Sequence, residues 1–117
     1  MPYNKTLGKI GEDIAEEYLL TQGYEVVNRN WSFKKWELDL VVKKDDEWRF
    51  IEVKTRSSIK YGYPEEAVDD LKIENLYLAI DAFLRENDLK IDNFHLDIIA
   101  IILNDKDFDV RWLKDAV

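Results

Sequence analysis

The chain has 117 residues, of which 46% are hydrophobic and 36% charged, a length for one domain and a globular composition rather than a disordered or membrane one. It has no cysteine and a formal charge of −8, so disulfides and thiolate metal sites are excluded. Its overall charge also opposes the phosphate neutralisation on which most nucleic-acid binders rely.

The charge is unevenly spread. Residues 29–60 hold nine Lys/Arg against six Asp/Glu, a local +3, whereas the rest holds eight against nineteen, a local −11. No stretch approaches the ~20 apolar residues of a membrane span. The opening MPYNKTLGKIGED lacks the apolar centre of a signal peptide. A cytoplasmic location and no membrane partner are expected.

In chain order, residues 5–22 are predicted helical, with Leu7, Ile10, Ile14 and Tyr18 at helical spacing and Gly23 closing the run. Tyr24 to Asn28 is a short strand, and Arg29 to Lys35 a polar connection studded with aromatics. Trp36 to Lys43 alternates, with Leu38, Leu40 and Val42 expected on one face and Glu37, Asp39 and Val41 on the other. Lys44 to Glu47 is a charged hairpin turn, and Trp48 to Thr55 returns as its partner strand. Pro64 then opens a helix running to about Glu86, its first turn carrying Glu65 and Glu66. Phe94 to Leu103 is nearly all apolar, as in a strand covered on both faces. A last short strand is expected near Asp109 to Leu113. The order α-β-β-β-α-β-β, without repeats or linkers, describes a single α/β domain over residues 1–117, a mixed sheet flanked by helices.

One face of this scheme carries chemistry. If the second and third strands pair with their apolar faces together, Asp39 and Glu52 project from the same side, with Lys54 two residues on. Opposed carboxylates repel unless a proton or cation separates them. Hard divalent ions such as Mg²⁺ take carboxylate oxygens and water, whereas one histidine and no cysteine argue against zinc. Such a site suits phosphodiester hydrolysis, with Lys54 orienting a water or stabilising developing charge. The competing reading is a solvated hairpin whose charges form cross-strand ion pairs and nothing more. On the second helix, Val68, Leu71, Leu76, Ala79 and Phe83 form a predicted apolar stripe into which Lys72 falls, a lysine that needs an anion or must snorkel. Glu12 lies at the edge of the first helix's stripe, in reach of the sheet.

Four tryptophans (Trp31, Trp36, Trp48 and Trp112) are expected to serve the core or a homodimer interface, although Trp31 and Trp36 bracket Lys34 and Lys35, where bases could stack. His95 is expected to be a satisfied core residue. Asp97, inside an apolar strand, needs a partner.

The ordered set Leu7-Gly8-Lys9-Ile10-Gly11-Glu12, Gly23-Tyr24, Asn30-Trp31, Glu37-Leu38-Asp39-Leu40, Ile51-Glu52-Val53-Lys54-Thr55-Arg56, Tyr61-Gly62-Tyr63-Pro64, Lys72 and Asp97 resembles the YraN family. This uncharacterised bacterial family has a Holliday-junction-resolvase-like fold of the PD-(D/E)xK, or restriction-endonuclease-like, type. The resemblance implies a metal-dependent nuclease using Mg²⁺ or Mn²⁺ on DNA or RNA. It maps the metal site onto Asp39, Glu52 and Lys54, with Glu12 and Glu37 as auxiliary acids. Phosphate would then meet Lys34, Lys35, Arg56 and Lys72. The chain departs from the family in having Trp36 where glycine is usual, Glu74 and Asn75 where bases are common, and His95 and Trp112 later on. Lost positive charge leaves a second reading open, a nuclease fold kept as a binding or scaffold module without activity.

Overall fold

The computed structural model describes residues 2–116. Helix α1 (Pro2–Thr21) is followed by strands β1 (Glu25–Phe33), β2 (Trp36–Lys44) and β3 (Glu47–Arg56). A 3₁₀ turn (Pro64–Ala67) leads to helix α2 (Asp70–Glu86), and β4 (Phe94–Leu103) and β5 (Phe108–Leu113) close the chain. The five strands form one sheet in the order β1-β2-β3-β4-β5. β3 and β4 are parallel and joined through α2, and every other neighbouring pair is antiparallel. The expected mixed α/β architecture and element order are present and are consistent with a restriction-endonuclease-like fold. No helix among the described residues is long and apolar enough to cross a membrane.

The sheet separates two cores. On one face Ala15 and Leu19 of α1 pack on Leu40, Val42, Ile51, Val53, Ile99 and Ile101. On the other, Leu76, Ala79, Ile80 and Phe83 of α2 pack on Val41, Phe50 and Leu96. β4 is covered on both sides, as its apolar run requires.

Four local expectations are corrected. The face of α1 turned to the sheet is Gly11, Ala15 and Leu19, and Ile10 is 39% exposed. Gly11 decides this phase. A Cβ there would stand 1.8 Å from Thr55 Oγ1, so its absence lets the helix backbone approach β3. The bulkier Ile14 is left at the margin of that core.

The segment from Arg29 to Phe33 is strand rather than connection, and the chain turns at Lys34 and Lys35. Its polar residues alternate with Trp31, which packs edge-on against Phe83 with ring centres 5.3 Å apart. That alternation stabilises the strand.

α2 begins at Asp70, because the Asp69 side chain accepts the Lys72 backbone N–H and caps the helix there. Glu65 and Glu66 belong to the preceding 3₁₀ turn. Leu71 is 65% exposed, so the buried stripe omits it and includes Ile80.

In β2, Leu40 and Val42 join the α1 core while Leu38 joins the α2 core. The strand therefore changes face at Asp39. β1 does the same at Asn30: Arg29 pairs with Asp13 of α1 at 2.7 Å, whereas Trp31 meets α2. The register sets Asn30 across from Asp39, between Arg29↔Leu40 and Trp31↔Leu38. Asn30 has φ 52°, a left-handed conformation that asparagine tolerates better than most residues.

Candidate functional site

The change of face at Asp39 builds the site. The β2–β3 ladder ends at Leu40↔Ile51, and the same register places Asp39 opposite Glu52. Beyond the last rung, the Val53 N–H donates to Asp39 Oδ2 at 2.9 Å. Asp39 thus stands in for a strand partner and is fixed there.

Glu52 is 4% exposed. Its Oε2 lies 3.4 Å from Lys72 Nζ of α2 and 3.6 Å from Lys54 Nζ of its own strand. Burial and then the neighbouring Asp39 charge push the Glu52 carboxyl up to about 7, against the smaller pull of Lys72 and Lys54. An acid so poised near neutrality holds a proton or exchanges it for a cation.

Glu12 approaches from α1, on the opposite side of the sheet from Lys72. Burial, followed by the Asp39 charge, raises its pKa, and hydrogen bonding to Asn30 and the charge of Arg29 offset part of this. Arg29 gathers Asp13 at 2.7 Å, Glu16 at 3.3 Å and Glu12 at 3.6 Å, and so ties α1 to β1 beside the site.

The structure therefore brings together Asp39, Glu52, Lys54 and Lys72, with Glu12 within electrostatic reach. Glu37 is exposed and shares a cleft with Asp39. Lys35 lines a cleft with Lys72. Lys34 lies over the Phe33 ring at 5.4 Å, and Arg56 ends β3 exposed, so neither joins the carboxylates. Sequence reasoning assigns Asn30, although part of the ordered motif set, and Arg29 no role at the site; they set the strand geometry and hold Glu12. An asparagine inside an alternating polar-aromatic run was the available signal for the first.

Asp97 belongs elsewhere. Fully buried, it accepts two bonds from Arg49 Nη1 at 2.9 and 3.0 Å, one from Trp112 Nε1 at 2.9 Å and one from the Asp115 N–H at 2.8 Å. Its expected need for partners is met by structure alone. His95 lies at the rim of this network rather than in the core and pairs with Asp115.

The profile of the uncharacterised protein family UPF0102 matches residues 11–101. The chain belongs to UPF0102. A UPF0102 protein of Flavobacterium psychrophilum is 38% identical over 116 residues, spanning 99% of this chain and 97% of its own length. A UPF0102 protein of Syntrophomonas wolfei is 41% identical over 113 residues, with 97% and 98% covered. This is the YraN-like family indicated by the ordered motifs, and the UPF0102 match spans Glu12, Asp39, Glu52, Lys54 and Lys72.

Proposed function

We propose that this UPF0102 chain is a divalent-metal-dependent nuclease that hydrolyses nucleic-acid phosphodiesters. The observation that carries the reading is the pairing of half-buried Asp39 with buried Glu52, set face to face where two strands part and flanked by Lys54 and Lys72. The donors are all carboxylate oxygens, which suits Mg²⁺ or Mn²⁺. Among the described residues no three His, Cys, Asp or Glu side chains cluster at metal-binding distance. Two carboxylates with water and substrate phosphate are the way Mg²⁺ is commonly held.

Asp39 and Glu52 would hold the ion, with Glu37 at the rim as an auxiliary acid. Such an ion, when bound, lowers the pKa of a water and neutralises charge on phosphoryl oxygens. Lys54 is the residue to orient the attacking water or stabilise the developing negative charge, since it lies beside Glu52 and its side chain is 34% exposed. Lys72 would engage phosphate from the α2 side. Glu12, its carboxyl raised beside Asp39, is placed to hold a proton at the site's other margin. Lys34, Lys35 and Arg56 would contribute peripheral phosphate contacts.

Titration with Mn²⁺ and an assay on single-stranded, branched and duplex DNA test this together. Binding and cleavage that Asp39→Ala and Glu52→Gln both abolish are expected. A chain that takes up no Mn²⁺, and whose Asp39→Ala variant behaves identically, overturns the reading. The net charge of −8 favours one alternative, an inactive nuclease-fold binding module. Metal uptake without cleavage of any of these substrates would select it.

A further inference from the structure

Three clefts lie in series around Asp39 and share walls. The first, about 230 Å³, is lined by Lys35, Trp36, Lys72 and Asn75, with Glu37 on its wall. Glu37 also borders the second, about 150 Å³, whose walls include Trp31 and Asp39. Asn30 then passes from the second to a third, about 680 Å³, beside Glu12 and Arg29. The first two, which share Glu37, form a groove from the start of α2 to Asp39, and the third lies beside α1, on the other side of the sheet from Lys72.

The groove's chemistry favours aromatic contact over charge. In the third cleft, on the α1 side, Arg29 is already matched by Asp13, Glu16 and Glu12, and Lys9 by Asp13. Lys72 shares Glu52 with Lys54. Lys35 is the cation of the groove that rests on a ring, 4.8 Å over the Trp36 indole. A duplex is held chiefly by phosphate neutralisation, and most cations here are already committed to carboxylates. Indole faces contribute binding only to bases that are not stacked within a helix, and they accept any base. Trp36 and Trp31 come from opposing strands of one hairpin, two residues from register partners, since Trp31 pairs with Leu38 and Phe33 with Trp36.

We propose that this groove takes an unpaired nucleic-acid strand rather than a duplex, with a base laid against Trp36 and the adjoining phosphate on Lys35. The inference rests on the reading of Asp39 and Glu52 as the hydrolytic centre, whose substrate class it names.

The test is equilibrium binding of fluorescent oligo-dT, oligo-U and a duplex of equal length to the full chain in EDTA, where no cleavage intervenes. Oligo-dT or oligo-U is expected to bind more tightly than the duplex, and the two arms show which sugar is preferred. Trp36→Ala should weaken strand binding at least about fivefold, the lower end of one base–aromatic stack, and Trp36→Phe should restore most of it. Lys35→Ala, on an exposed turn that tolerates substitution, should lower the dependence of log K on log salt by about 0.7, one single-strand phosphate contact. This second variant decides the matter if Trp36→Ala does not fold. Duplex binding as tight as single-strand binding overturns the proposal, as does strand binding indifferent to Trp36→Ala or, failing that protein, to Lys35→Ala. Mn²⁺ titration of the unaltered chain separates the two readings. Strand binding through Trp36 without Mn²⁺ uptake defeats the metal site alone, and Mn²⁺ uptake with no role for Trp36 defeats this inference alone.

Discussion

Asp39 and Glu52 oppose one another one step beyond the last rung of the β2–β3 ladder, and the Asp39 carboxylate is held there by the Val53 N–H at 2.9 Å. The backbone bond prevents Asp39 from swinging away from Glu52, and Glu52 is 4% exposed. Two acids are thus kept together where one of them is costly to ionise.

The Glu52 carboxyl is raised from 4.5 to about 7 in the folded chain, a difference worth roughly 3 kcal/mol. The protonated form suits the fold, so stability is undiminished below about 4.5 and falls as the pH rises through 7. Glu52→Gln removes the ionisation and keeps a group able to hydrogen-bond Asp39. In urea denaturation without metal, the variant should match the unaltered chain near pH 4 and exceed it at pH 8 by up to about 3 kcal/mol. A variant less stable at pH 8 would show instead that the lysines' attraction outweighs burial.

How far the site was legible depended on which positions follow simple periodicity. The strands at Trp48 to Thr55 and Phe94 to Leu103 are unbroken and buried along their middles, and the opposition of Asp39 to Glu52 and the reach of Lys72 followed from side-chain alternation, turn length and helical spacing. The change of face at Asn30 and Asp39 did not, because Leu38, Leu40 and Val42 look alike to a period of two whichever core receives them. The phase of α1 was hidden for another reason. Hydrophobic spacing favours Leu7, Ile10, Ile14 and Tyr18, whereas the contact with β3 is governed by a missing side chain at Gly11.

Substitution tests that contact. In Gly11→Ala the new Cβ would stand 1.8 Å from Thr55 Oγ1 and 2.9 Å from its Cβ. Overpacking of this kind costs about 1–3 kcal/mol, against about 1 kcal/mol gained from alanine's helix propensity. Net destabilisation by thermal melting is expected, with part of it recovered on adding Thr55→Ala. Thr55→Val alone should stabilise by about 1 kcal/mol, since Oγ1 is buried without a partner. Equal melting of Gly11→Ala and the unaltered chain would refute the close approach.

The Asp97 network is separate from the site. Asp97→Ala leaves the Arg49 guanidinium, 6% exposed, with Glu47 as its remaining acidic partner at 2.7 Å. Removing one member of a buried pair typically costs about 3–5 kcal/mol, and a loss of that size is expected in urea. Arg49 precedes Glu52 by three residues on one strand, about 10 Å of extended chain. The Glu52 titration should therefore persist in whatever fraction of the variant folds, and its disappearance there would place Asp97 within the site.

Two lysines pull the Glu52 carboxyl down. Lys72 is the larger of the two cationic influences on its carboxyl and Lys54 the smaller, although both approach the same oxygen. Lys72→Met keeps the apolar stem and removes the charge, so Glu52 should retain its proton to higher pH. Lys54→Met should act in the same direction by less. The Lys72 side chain is 38% exposed, and solvent screening keeps the effect of either substitution on stability small. Carboxyl-carbon NMR across pH 5–9 reads the midpoint directly. A downward move in Lys72→Met would mean that the methionine opens the site to water faster than the lost charge raises the acid, making burial rather than Lys72 the control on Glu52.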